Sequence, residues 1–124
     1  MKILTTSLLA LVLLATTTFA APAPENVDKI FNTLLQATIS GDYIAFQDPG
    51  NEKFREGITE EMFRNVSQQV SPLLRDGYTA EYLSALKQGG FDVYVWKITP
   101  KTGGDEFLAR LVVSDGKAAG FWLQ

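Results

Sequence analysis

Phe91-Asp92-Val93-Tyr94-Val95-Trp96-Lys97-Ile98 is the stretch that decides the fold. It is rich in β-branched and aromatic residues, and its side chains sort into two alternating sets, so it reads as a strand. Gly89 and Gly90 before it, and Pro100 to Gly104 after it, are turn formers. Working outward, Thr79 to Leu86 reads as a preceding strand, and Phe107 to Val113 and Lys117 to Leu123 as two following ones. Asp115-Gly116 between the last two is a two-residue hairpin signal. Four strands joined by short turns make an antiparallel meander.

Upstream of Gly77 the period is that of a helix. Val27, Ile30, Phe31, Leu34, Leu35 and Ile39 lie on one face of an amphipathic helix that begins at Glu25. Glu25 and Asp28 suit its N-terminal end, and Gly41 suits its C-cap. Asp42 to Gln47 predicts a short second helix burying Tyr43, Ile44 and Phe46, ended by Asp48, Pro49, Gly50 and Asn51. Thr59 predicts an N-cap for a longer helix carrying Met62, Phe63, Val66, Val70 and Leu73. Pro72 is expected to kink or stop it. Helices followed by a strand meander define an α+β fold, with N-terminal helices packed on one face of a curved four-stranded antiparallel meander sheet.

Residues 1–20 read as an address. Lys2 precedes an apolar run from Leu8 to Ala15, and Thr18 and Ala20 occupy the small-residue positions of a signal-peptide cleavage site after Ala20. The run is shorter than the roughly 20 apolar residues of a membrane-spanning helix. The chain therefore divides into a signal peptide (1–20), a Pro/Ala tether (21–24) and one α+β domain (25–124). The expected location is outside the cytoplasm, periplasmic or secreted, with no membrane attachment after cleavage.

Composition removes whole classes of chemistry. The 124 residues include no Cys and no His. Disulfides, thiolate nucleophiles, Cys/His zinc sites and histidine bases are excluded. A formal net charge of −3 argues against nucleic acid as a partner. Glu52, Glu56, Glu60 and Glu61 have no metal-ligand spacing, and no phosphate-loop, calcium-loop or nucleophile-elbow motif occurs. No metal or cofactor is implied.

Register predicts which residues share a face. With Asp115-Gly116 as a tight loop, Ser114 pairs with Lys117, Val112 with Ala119, Arg110 with Phe121 and Leu108 with Leu123. One face then carries Phe107, Ala109, Leu111, Val113, Gly120 and Trp122; with a tight Lys101–Gly104 loop Tyr94, Trp96 and Ile98 join it, a one-residue slip reversing that step, and this face is expected under the helices. The other carries Arg110, Val93, Val95, Val112, Phe121 and Leu123. Both faces are apolar, so the second needs a cover: a partner subunit, a loop or a ligand.

Helix, short helix, long helix and a four-stranded meander resemble the nuclear transport factor 2-like superfamily. The resemblance is carried by Asp92 to Lys97 and by the tail Leu108 to Trp122, with its Asp115-Gly116-Lys117 turn and closing Ala-Gly-aromatic strand. It extends to small uncharacterised exported bacterial domains of that superfamily. It implies a curved, cone-shaped sheet and a dimer, in a superfamily of isomerases, dehydratases, scaffolds and ligand-binding modules. Catalytic members commonly place an Asp–His or Tyr–Asp pair in the cone, and the absence of His stands against dehydratase-type chemistry here.

Two classes of function follow, beside a third option, a purely structural or accessory domain that only dimerises. The first is a non-enzymatic exported module, expected as a homodimer, that binds a small molecule or a protein. Tyr94, Trp96, Arg110 and Trp122 are its candidate ligand residues, and Val93, Val95, Val112, Phe121 and Leu123 its dimer face. Tyr94, Trp96 and Trp122 either line a cavity or fill the core. Arg110 either binds an anion, pairs across a dimer or lies along the sheet edge. The second class is a His-free isomerase or lyase, with Asp42 or Asp92 as base and Tyr43, Tyr82 or Tyr94 as donor. Asp42 can equally cap the second helix, and Asp92 can equally lie in water at a strand end.

Overall fold

In a computed structural model, residues 21–124 are described. The expected signal peptide and its cleavage site lie outside the described residues. Among the described residues, four helices precede four strands: α1 (Glu25–Ser40), α2 (Tyr43–Gln47), α3 (Glu52–Gly57), α4 (Glu60–Leu74), β1 (Tyr78–Gln88), β2 (Phe91–Pro100), β3 (Phe107–Ser114) and β4 (Lys117–Leu123).

α1 buries Val27, Phe31, Leu34, Leu35, Ala37 and Thr38. The Thr38 hydroxyl is satisfied by donating to the Leu34 carbonyl at 2.8 Å. Gly41 ends the helix with φ 72°, the left-handed conformation that costs glycine least. The Asp42 carboxylate then caps α2 by accepting from the Ala45 N–H at 3.1 Å. In α2, Phe46 is buried, but Ile44 is 82% exposed, against expectation. One turn of helix cannot bury Tyr43, Ile44 and Phe46 together, because they point in different directions. Asn51 caps α3, which the sequence reading missed; its one buried residue, Phe54, gives no periodicity to detect.

α4 starts where expected, with the Thr59 hydroxyl accepting from the Met62 N–H. Pro72 does not stop it. The helix continues to Leu74, and the Arg75 N–H still reaches the Ser71 carbonyl at 2.9 Å. Stopping at Pro72 would forfeit the burial of Leu74, which is 1% exposed. The buried stripe is Phe63, Ser67, Val70 and Leu74. Met62, Val66 and Leu73, expected on that face, are exposed beside it.

The sheet is an antiparallel meander of order β1-β2-β3-β4. The β2–β3 faces are as expected, with Tyr94, Trp96 and Ile98 on the face of Phe107, Ala109 and Leu111; Tyr94 opposes Leu111, Trp96 opposes Ala109 and Val95 opposes Arg110. The β3–β4 register departs from expectation. Val113 pairs with Ala118 but Val112 with Gly120, so Ala119 is an extra residue in a bulge. Every later residue of β4 changes face. Phe121 and Leu123 turn to the helices and pack on the core. Trp122 turns to the outer face, opposite Arg110. A second bulge, at Leu83, interrupts β1.

The core lies between α1, α4 and the inner sheet face. At its centre Phe31 stacks flat on Trp96, with ring centroids 4.0 Å apart and planes at 4°. Both rings are almost wholly buried. Replacing Phe31 with Ala is expected to destabilise the protein by about 3–5 kcal/mol in denaturant unfolding, the usual cost of emptying a buried aromatic site. A loss below about 1 kcal/mol would show that this stack does not organise the core.

Candidate functional site

β4 is an edge strand, and its two ends are treated differently. At Ala118 the edge is already occupied by the chain itself. The Ala118 N–H donates to Pro49 and its carbonyl accepts from Asn51, both at 2.8 Å, making a parallel bridge centred on Gly50. Beyond the bulge the edge is open. Leu108 and Gln124 exchange two backbone hydrogen bonds, at 2.7 and 2.8 Å. Alternation from that pair turns the backbone groups of Trp122 and Gly120 toward β3, and those of Phe121 and Leu123 away from it. Among the described residues, no backbone hydrogen bond outside the regular strands involves Phe121 or Leu123.

These groups border a cavity of about 410 Å³ between α3, α4 and β4. Five consecutive β4 residues, Ala119 to Leu123, line it. Side chains alternate faces along a strand, so an unbroken run means that the strand edge itself forms the wall. Phe46, Phe54, Ile58 and Phe63 form the inner wall, and Met62 and Val66 of α4 the rim. The Ile58 carbonyl accepts from the Tyr43 hydroxyl at 2.7 Å. Lys53 is the one ionisable side chain among the lining residues. A second cavity, about 340 Å³, continues along α4 past Leu123, lined by Gln69, Val70, Leu73, Pro100 and Phe107 and ending near Asp105.

The four candidate ligand residues are not gathered in one place. Trp96 is core, against Phe31 and Tyr82. Tyr94 is half-buried on the helix side. Arg110 lies on the outer face and donates to the Gln88 side-chain oxygen at 2.6 Å. That bond crosses β2 over Val93, which is only 3% exposed although it faces away from the helices. Trp122, 49% exposed, lies over Gly120 and is among the residues at the cavity rim. Of the proposed dimer face, Val93, Val95 and Val112 lie on the outer face, while Phe121 and Leu123 lie on the inner one and line the cavity.

Three of the five Asp and Tyr candidates are engaged elsewhere, and Tyr82 packs on Trp96. Asp42 caps α2, Tyr43 donates to Ile58, and Asp92 pairs with Lys87 at 2.8 Å. The Asp92 hydrogen bond and charge raise the Lys87 pKa, while burial and then the nearby Tyr94 raise that of Tyr82. On the outer face, the Thr99 hydroxyl and then Lys97 hold the Glu106 carboxyl below its ordinary value. That small stabilisation is present above the ordinary carboxylate range and fades as pH falls through the lowered pKa. Lys53, Phe54, Met62 and Val66 were missed as site residues. The signal for the last two is their helical spacing with Leu73, one stripe wider than a single buried face requires.

The chain matches no protein-family profile and no curated protein. Solved structures similar to it include the following two. One is an uncharacterised cystatin-fold protein from Novosphingobium aromaticivorans, at 11% identity and TM-score 0.43, over 80% of this chain and 97% of that one. The other is a candidate polyketide cyclase from Sinorhizobium meliloti, at 17% identity and TM-score 0.47, over 82% of this chain and all of that one.

The outer rim of the site rests on Gly120, where a Cβ would lie 2.3 Å from the Trp122 ring. Gly120→Ala is therefore expected to push the indole off the strand. Acrylamide should then quench Trp122 more strongly, while Trp96 stays protected. Unchanged quenching would contradict this placement of Trp122.

Proposed function

We propose that this protein is a binding module whose site is the cavity between α3, α4 and the β4 edge. The observation that carries the reading is the lining: aromatic and aliphatic side chains with one ionisable group, Lys53. Such a site is suited to holding an apolar ligand and orienting it by a few polar groups. An acid–base mechanism needs a donor and an acceptor converging on one point. Among the described residues, the lining holds no carboxylate and no tyrosine. The Lys2-led apolar run supports export of the module, and the helix-then-meander order supports the nuclear transport factor 2-like reading.

N-phenyl-1-naphthylamine, a neutral apolar fluorophore, tests the site. It is expected to bind with enhanced fluorescence. Val66→Trp, at the exposed rim, should weaken it about tenfold or more, some 1.4 kcal/mol, with an unchanged melting temperature. Absence of binding, or binding indifferent to Val66→Trp, would contradict the reading.

The outer sheet face favours a second element of the proposal, pairing with a second copy of the chain. Leu86, Phe91, Leu108 and Trp122 are all exposed on it. Exposed large apolar side chains at both ends of one sheet face are surface that a partner can cover. Light scattering after gel filtration should give twice the monomer mass, and Leu108→Glu should return the monomer mass. A wild-type monomer at tens of micromolar would overturn this element alone.

A further inference from the structure

We propose that the cavity receives an extended peptide, which adds as a strand to the open edge of β4 and carries an acidic residue that meets Lys53. The inference rests on the reading of the cavity as a binding site and names its occupant.

The backbone decides between a peptide and a simple apolar molecule. Phe121 and Leu123, whose N–H and C=O groups point away from β3, both line the cavity. A hydrocarbon filling it would strip water from these groups and return no hydrogen bond in exchange. An extended backbone satisfies them and places alternate side chains against the apolar wall. The same edge already accepts such a strand from its own chain: Pro49 to Asn51 pair in parallel with Ala118. The open stretch lies directly beyond, so a guest strand running the same way continues that line.

Charge sets the character of the guest. Lys53 follows Asn51 by two residues and lines the cavity where the open edge begins. It makes no ion pair among the described residues. The nearby cation Arg55 is committed to the carbonyls of Gln47 and Asp48. Glu52 and Glu56 share α3 with Lys53 but do not line the cavity. At the far end of the groove stands Asp105. A guest with its acidic residue at the leading end and uncharged apolar residues behind complements both ends. The exposed stripe from Met62 to Leu73 gives the groove a wall about 16 Å long at 1.5 Å per residue, enough for roughly five extended residues.

The test uses the full chain with bound N-phenyl-1-naphthylamine and three synthetic peptides. One is acetyl-Glu-Val-Thr-Val-Thr-Val-amide; the second has Lys in place of Glu; the third has the first sequence with alternate backbone nitrogens methylated. The first should displace the fluorophore, with the Lys peptide about tenfold weaker and the methylated peptide inactive. Lys53→Gln should remove the preference for Glu over Lys. Failure of the fluorophore to bind would remove the site itself. With the fluorophore bound, equal displacement by parent and methylated peptides would overturn strand addition. So would displacement by decanoate but by no peptide. A charge preference that survives Lys53→Gln would overturn the role of Lys53.

Discussion

The flat stack of Phe31 on Trp96 is the contact on which the arrangement of helices over sheet depends. It joins the middle of α1 to the middle of β2, and both rings are removed from water. Phe121 meets the edge of Phe31 from β4, and Tyr82 meets Trp96 from β1, so strands on both flanks of β2 refer to one point. α4 is then held to α1 by a hydrogen bond inside the core: the Ser67 hydroxyl donates to the Thr38 carbonyl at 2.7 Å. That bond leaves no slack in how α4 lies on α1. It directs Phe63 and Val70 inward and leaves Met62, Val66 and Leu73 alongside β4. The groove is a consequence of this geometry.

The bulge at Ala119 is the second constraint. Without it Trp122 would lie under the helices, and Phe121 and Leu123 would face outward. With it, Phe121 reaches Phe31 and Phe46, and the edge backbone of β4 looks into the space left by α3 and α4. The bulge lies beside the residue whose edge is tied to Pro49 and Asn51. The chain thus closes half of the β4 edge and leaves the other half open onto an apolar cavity. An edge of this kind invites pairing with another chain, which proteins normally prevent or use.

The fold was legible in the sequence because its signals were long and redundant. The α1 stripe, the Thr59 cap, the β2 alternation and the Asp115-Gly116 turn each point to one structure, and the β2–β3 faces followed from them. What was missed was short or featureless. α3 has one apolar anchor, and no period can be read from one residue. Ala118, Ala119 and Gly120 are too small to mark a face, so the bulge among them left no trace, and the faces of Phe121, Trp122 and Leu123 were reversed. Met62, Val66 and Leu73 share a helical spacing with the true core residues, and only the position of β4 separates the two stripes. The candidate site was therefore hardly legible: it is made by a bulge and an edge, which are properties of backbone pairing rather than of residue type. Trp122 was singled out for its chemistry and does line the rim, but from the opposite face to the one expected.

The central claim is that the open edge of β4 and the facing side of α4 form the binding site. Amide chemical-shift mapping with N-phenyl-1-naphthylamine tests it most directly. The account predicts shifts at Phe54, Met62, Val66 and Gly120 to Leu123, with Val95, Arg110 and Val112 on the outer face unmoved. Shifts centred on Val95, Arg110 and Val112, with Phe121 and Val66 unmoved, would contradict it.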